Sequence, residues 1–228
     1  MKIAAIIAAA GQGRRMGHKT PKQYLLLNGK PVLWHTLKIF TGMGIFSEIV
    51  LVVNKKDREY CQKHLLDKYK FKKVRCVIGG RERQDSVYQG LKSLAACDYV
   101  AIHDGVRCLV SARVIRKTIQ AARQYQAAIA AVPLKDTVKE SDTRQLVKRT
   151  VDRDKLWSIQ TPQVFRYELI IAAYRQAGKK GFYGTDDAGL VERAGGKVKL
   201  VMASYNNIKI TTAIDLAIAE NVLQKGWQ

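Results

Sequence analysis

Cysteine, histidine and acidic side chains are all scarce in this 228-residue chain, which holds four cysteines, four histidines and 19 acidic residues against 40 basic ones. Cys61, Cys76, Cys97 and Cys108 are scattered without C-x-x-C or histidine spacing. That pattern argues against zinc and disulfides and fits reduced thiols in a cytoplasmic protein. No apolar run approaches the roughly 18 residues of a membrane span, so no membrane association is expected. The sequence also offers no Ser/His/Asp arrangement. The shortage of acids leaves a formal net charge of +21, which nucleic acid, an anionic membrane or an anionic small substrate would each suit. The basic residues spread over 19–30, 55–73, 113–123, 144–155 and 179–180, with no aromatic interleaving and no nucleic-acid module. They read as solvated helix faces and loop ends that stick nonspecifically to nucleic acid at low salt, not as a specific nucleic-acid site.

What the chain does have is concentrated at its start, where the apolar run Ile3 to Ala10 flows into Gly11-Gln12-Gly13-Arg14-Arg15-Met16 and then Pro21-Lys22-Gln23. Apolar residues without alternation suit a strand covered on both faces, and two glycines let backbone N–H groups approach a ligand. Cations beside such a loop suggest a polyphosphate; an ordinary strand-to-helix turn is the alternative. A dinucleotide fingerprint would need a third glycine where Met16 stands and an acid some twenty positions on, but the region from Gly29 to Phe40 has none. A mononucleotide triphosphate is therefore favoured over NAD. A secretory signal is disfavoured too, because the apolar core is short and Arg14-Arg15 follows it at once.

Further strand-like runs at Glu48–Val53, Val74–Ile78, Asp98–His103 and Ala127–Val132 alternate with helical patterns at 31–40, 56–68, 84–94 and 112–125. Alternation of this kind predicts a parallel sheet wrapped by helices, with ligands beyond the carboxyl ends of the strands. The loops at 10–22, 79–86 and 104–108 should then share one rim. Residues 133–154 break the pattern, reading as a polar hairpin around Ser141-Asp142-Thr143-Arg144 that needs a partner on its own subunit or across a dimer. A strand near Leu156–Gln160, helices near 167–177 and 185–194, a strand at 197–203 and a helix from Ala213 to Leu223 complete the expectation.

Gly79-Gly80-Arg81-Glu82-Arg83-Gln84-Asp85-Ser86-Val87, His103-Asp104-Gly105-Val106-Arg107, Asp136-Thr137, Leu156 to Phe165, Thr185-Asp186-Asp187-Ala188 and Asn207-Ile208-Lys209-Ile210-Thr211 follow in order. This ordered set, spread from Ala8 to Leu216, resembles the 2-C-methyl-D-erythritol 4-phosphate cytidylyltransferases. The resemblance implies an α/β, three-layer Rossmann-like nucleotidyltransferase fold with a mostly parallel central sheet. It also implies a single domain over 1–228, with 134–155 as a protruding β-hairpin arm. No second enzyme is expected after Gln228. The activity implied is transfer of CMP from CTP to 2-C-methyl-D-erythritol 4-phosphate with release of pyrophosphate, in the non-mevalonate route to isoprenoid precursors. The nucleophile is a phosphate monoester, already mostly dianionic at neutral pH because its second pKa is near 6. No general base is required, which agrees with the scarcity of histidine; His103 reads as structural.

By the same resemblance, Arg15 and Lys22 hold the triphosphate and stabilise the transition state, while Lys209 positions the attacking phosphate. Arg153 binds the substrate phosphate from the arm, across a homodimer. Mg²⁺ or another divalent cation bridges phosphate oxygens. Ala9, Ala10, Gly11, Gly13, Gly80 and Ser86 match CTP-binding positions, where small residues allow close approach to cytosine and ribose. Asp104, Arg107, Thr137, Thr161 and Thr185 match positions around the methylerythritol phosphate; Asp104 also faces the CTP side and is the one candidate metal ligand. Asp186 and Asp187 have a sufficient reading as a helix cap and dipole partner.

Cys108 replaces the family's proline, so a looser loop and a thiol within reach of reagents are expected. Two rival readings stand beside the main one. A ribitol-5-phosphate-type cytidylyltransferase shares the glycine loop and CTP chemistry, and a nonenzymatic nucleic-acid-binding protein is motivated by the +21 charge alone.

Overall fold

The structure is a computed structural model that describes residues 1–11 and 20–226. Its strands in chain order are β1 (Ile3–Ala8), β2 (Leu26–Leu27), β3 (Lys30–Pro31), β4 (Glu48–Val53), β5 (Val74–Ile78), β6 (Tyr99–Asp104), β7 (Ala127–Pro133), β8 (Val138–Ser141), β9 (Val147–Val151), β10 (Trp157–Arg166) and β11 (Lys199–Met202). Its helices are α1 (Val32–Gly42), α2 (Arg58–Cys61, continued by a π-helical stretch Gln62–Asp67), α3 (Arg83–Ser93), α4 (Ala112–Tyr125), α5 (Tyr167–Lys179), α6 (Asp187–Arg193) and α7 (Ala213–Gln224). Seven strands form one sheet in the order β11-β7-β10-β6-β1-β4-β5, in which only β10 runs antiparallel to its neighbours.

The apolar runs lack alternation because helices cover both faces of this sheet. Along β1, Ala5 and Ile7 point to one side and Ile6 to the other, as the two-residue period requires. The first side is closed by Leu33, Leu37 and Phe40 of α1 and by Ile115 and Ile119 of α4. The second is closed by Val87 and Leu91 of α3, Ile170 and Tyr174 of α5, and Leu190 of α6. Fully burying each such large side chain is worth roughly 1.5–3 kcal/mol. A Cβ on Gly90 would lie 3.0 Å from both Ile6 Cγ2 and Val52 Cγ2, so glycine lets α3 sit hard against the sheet.

Parallel pairing sets the carboxyl ends of the central strands level, with Ala8 opposite both Val52 and Asp104 and Val53 opposite Ile78. The segments after β1, β4, β5 and β6 therefore emerge along one rim. Two sequence expectations need correcting. The strand expected to stop at Gln160 continues to Arg166, because Pro162 falls where the register with β7 shifts, and a bulge spares a proline the ladder bond it cannot donate. The helix expected from Thr185 starts at Asp187, because Asp186 is its cap and accepts from Gly189 N at 2.9 Å. The polar hairpin is present as β8 paired with β9, a two-stranded sheet separate from the main one. Its turn is held by Asp142 Oδ1, which accepts from the backbone N–H groups of Arg144 and Leu146 at 2.9 Å each.

Candidate active site

The rim encloses a cavity of about 420 Å³. One wall is built from small residues. Ala9, Ala10 and Gly11 leave β1, and their backbone is clamped by buried Gln23, whose Nε2 donates to Ala9 O at 3.0 Å and to Gly11 O at 3.2 Å. Gln23 lies in the single 3-10 turn Lys22–Tyr24, so the same clamp brings Lys22 to the cavity edge. Gly80 and Ser86 continue this wall. A Cβ on Gly80 would fall 2.3 Å from Asp85 Cβ, and one on Gly79 would fall 2.6 Å from Ser86 Oγ and 2.8 Å from Ala10 Cβ. Two glycines thus let the loop fold over the start of α3, where Glu82 and Asp85 form a capping box and Gly80 N donates to Ser86 Oγ at 3.2 Å. Gly13 and Arg15 lie outside the described residues.

Beside this small-residue wall the lining is ionic and centres on Asp104 at the end of β6, the strand paired with β1. Its Oδ1 accepts from Arg83 Nε at 3.2 Å, and its Oδ2 lies 2.8 Å from Lys209 Nζ and 3.8 Å from Arg107 Nε. Burial by itself would raise this carboxyl; Arg83, Lys209 and Arg107 outweigh burial and hold it well below the usual carboxylate range. Arg83 is in turn gripped by buried Asp187, through Nη1 at 2.9 Å and Nη2 at 2.8 Å. Burial opposes the charge on Arg83, yet the two carboxylates push its pKa well above the ordinary arginine value. Lys209 is placed by its neighbours: Ile210 N donates to Val106 O at 3.0 Å, and Asn207 Nδ2 donates to Gln160 Oε1 and Thr161 O.

Behind Asp104 a chain of hydrogen bonds fixes one tautomer. Arg107 O can only accept, so His103 Nε2–H donates to it at 3.1 Å; Nδ1 then accepts from Thr161 Oγ1 at 2.9 Å, and that hydroxyl accepts from Asp104 N at 3.0 Å. His103 is fully buried, and burial pushes its pKa down to about 4. It is neutral and fully engaged, a structural group.

Eight of the residues singled out from sequence therefore line one cavity: Ala9, Ala10, Gly11, Lys22, Gly80, Ser86, Asp104 and Lys209. Arg107 backs Asp104 and is held by Asn207 O at 2.8 Å, and Thr161 is buried with its hydroxyl committed to the chain behind Asp104. Thr137 and Thr185 are exposed and do not line the cavity. Arg153 sits exposed at the foot of the arm, donating through Nη1 to Lys135 O. Sequence reasoning gave no role to Arg83 or Gln23, although both stand inside quoted motifs, and gave Asp187 only a helix-end role. Cys108 corrects an expectation: it is buried among Leu27, Val32, Val106 and Ile210, and burial pushes its thiol up to about 12, so it is out of reach of reagents.

Among the described residues, four cationic side chains, Lys22, Arg81, Arg83 and Lys209, line the cavity with two carboxylates, Glu82 and Asp104. Small residues and cations lining one cavity suit a nucleoside polyphosphate. The family model of 2-C-methyl-D-erythritol 4-phosphate cytidylyltransferase matches residues 3–225. The chain belongs to this family. It is 48% identical to the 2-C-methyl-D-erythritol 4-phosphate cytidylyltransferase of Caldanaerobacter subterraneus over 99% of this chain and 100% of the relative. The protein of that name from Alkaliphilus oremlandii is 46% identical over 98% of this chain and 95% of the relative. Among solved structures, the 4-diphosphocytidyl-2C-methyl-D-erythritol synthase of Anaerococcus prevotii superposes with a TM-score of 0.86 at 39% identity, covering 98% of each chain. Family membership sets aside the reading as a nonenzymatic basic protein, and the three-layer cytidylyltransferase fold is the one observed. No helix among the described residues is long and apolar enough to cross a membrane.

Proposed function

We propose that the cavity is the cytidylyl-transfer site, with CTP against the small-residue wall and the methylerythritol phosphate against the ionic one. The chain is a CTP-dependent cytidylyltransferase of the 2-C-methyl-D-erythritol 4-phosphate family, acting in isoprenoid precursor synthesis. The observation that carries the site reading is Lys209, held 2.8 Å from Asp104 in the same cavity that Ala9, Ala10 and Gly80 line. An oxygen of the acceptor phosphate forms a bond to the α-phosphorus while the bond to the bridging oxygen breaks, and pyrophosphate leaves. Acceptor and nucleotide are both anions, so the protein's task is to hold them together and to meet the charge gathering on the departing pyrophosphate. Lys22, with Arg15 beyond the described residues, serves the triphosphate. Lys209 brings the attacking phosphate in line. Ala10, Gly80 and Ser86 leave room for a pyrimidine close to the backbone.

No proton need be removed from a dianionic nucleophile, and His103, buried and committed on both nitrogens, fits that chemistry. A divalent cation fits this site only as one carried by nucleotide phosphates and water. Asp104 has both oxygens engaged by cations, and no group of three His, Cys, Asp or Glu side chains among the described residues could cage a metal. When bound, such a cation, Mg²⁺ in our reading, would neutralise phosphate charge. Arg107 orients Asp104, and Asp104 accepts an acceptor hydroxyl. Thr137, Thr185 and Arg153 are exposed, which supports a homodimer whose arm brings Arg153 and Thr137 to the partner's cavity. The scattered free thiols support a cytoplasmic location. Pyrophosphate release is to be measured with CTP, Mg²⁺ and each acceptor in parallel. Turnover with 2-C-methyl-D-erythritol 4-phosphate is expected; turnover with ribitol 5-phosphate alone would overturn the acceptor assignment.

A further inference from the structure

Asp187 is wholly buried, does not line the cavity and is not the cap of α6, a task performed by Asp186. Its carboxylate instead occupies both terminal nitrogens of Arg83, 104 residues away in sequence, and accepts from Tyr174 Oη at 2.5 Å. A buried ion pair of this kind carries a desolvation cost that a well-packed apolar pair would avoid, so stability alone is a poor reason to keep it. Its consequence for the neighbouring carboxylate is more specific. A guanidinium fork matches a carboxylate with two nitrogens at once. Each terminal nitrogen keeps a second N–H, so a guanidinium free to turn could bring its Nε/Nη side onto both oxygens of Asp104 and displace Lys209.

We propose that Asp187 is a positioning residue for cytidylyl transfer. By gripping Arg83 end-on through both terminal nitrogens, it fixes the guanidinium so that Nε meets Asp104 Oδ1 alone and Oδ2 is kept for Lys209. The chain Asp187, Arg83, Asp104, Lys209 then links the loop over the CTP wall to the lysine assigned to the acceptor phosphate. The inference rests on the reading of Lys209 given above. Every contact in it is 3.2 Å or shorter. It also gives Arg83 a role that its place in the Gly79 to Val87 motif did not disclose.

The test is the steady-state kinetics of Asp187→Asn, which keeps the size of the side chain and an oxygen for Tyr174 but turns an amide N–H toward Arg83. Misplacing a positioned group costs on the order of tenfold or more in rate, so kcat with saturating acceptor should fall by at least that factor while KM for CTP stays within about twofold. Arg83→Lys keeps the charge but cannot span both carboxylates, and it should show the same split; it decides the matter if Asp187→Asn does not fold. Ile170→Val, a core change in α5, serves as the stability control and should lower the melting temperature with kinetic constants unchanged. Should both site variants lose melting temperature yet keep kcat and both KM values, Asp187 is structural only and the proposal is wrong. Lys209→Ala run alongside separates the two readings. If it keeps full kcat, the assignment of Lys209 falls and this inference with it. If it loses activity while Asp187→Asn and Arg83→Lys do not, only this inference falls.

Discussion

Acid should destabilise this fold chiefly through one buried imidazole. His103 is fully buried, wedged beside the Phe40 ring at 5.0 Å between centroids, faced by Asp104, Arg107 and Arg83, and committed to Thr161 and Arg107 O. Burial lowers its pKa from 6.5 to about 4. A base with a depressed folded pKa takes its proton in the unfolded chain first, so the unfolded state binds more protons between the two values and stability falls as pH drops through that window. At 1.36 kcal/mol per pKa unit, the loss between pH 7 and pH 4 amounts to about 3 kcal/mol, a large share of the 5–15 kcal/mol that typically holds a domain together. His35 is also lowered by burial and adds to the wild-type slope with the same sign, so the informative quantity is a difference. His103→Gln retains a donor and an acceptor but cannot be protonated. Urea denaturation at pH 7, 6, 5 and 4 should give a wild-type free energy that falls more steeply than the variant's, with the gap closing by about 3 kcal/mol toward pH 4. Parallel pH profiles for the two proteins would refute the argument.

Mixing inactive Lys22→Ala and Arg153→Ala proteins should restore a fraction of activity if the arm serves the partner's cavity; no recovery after demonstrated subunit exchange would place Arg153 in its own subunit. Gly80→Ala puts a methyl 2.3 Å from Asp85 Cβ, so the loop must shift and KM for CTP should rise about tenfold or more, while the melting temperature moves by a few degrees. Iodoacetamide followed by peptide mass mapping should label Cys76 first and leave Cys108 untouched in native protein. Cys76 is only half-buried and a contact from Cys61 lowers its thiol, with Arg58 helping, whereas burial raises Cys108.

How much of this was legible in the sequence depends on how far apart the cooperating residues lie. The strands were readable because both faces are covered, which removes alternation and leaves plain apolar runs such as Ile49 to Val53. The carboxyl rim followed from parallel pairing, and with it the meeting of Ala10, Gly80 and Asp104, whereas Lys209 was legible only through the family resemblance. The ends of α6 and β10 were not readable, since Asp186 acts as a cap and Pro162 is absorbed by a bulge, and neither effect has a local period. Thr161 was quoted in a motif, but its hydroxyl is spent on a chain through His103 and Asp104 that sequence spacing cannot display. Asp187 carries the weakest signal. An acid in the first turn of a helix already has an adequate local explanation, so nothing prompts a search for an arginine on another helix.

Asp104 raises a question that the rest of the site answers. A carboxylate is out of place in a cavity meant for two polyanions, because it repels what the site must bind. Its value lies in what it does before they arrive. Arg83, Arg107 and Lys209 converge within 3.8 Å of its oxygens, and like charges brought that close repel by a few kcal/mol per pair at an effective dielectric of about 20. Without an anion among them the lysine, at 36% exposure the freest of the three, would swing toward solvent and have to be reordered at each turnover. Asp104 supplies that anion permanently. It is held ionised by the same cations it gathers, so it cannot relax the cluster by taking up a proton at any working pH. An arriving phosphate then meets cations already in place and competes with a single carboxylate oxygen for Lys209, which is a smaller expense than ordering three loose cations. Preorganisation of this kind stabilises charge as it develops.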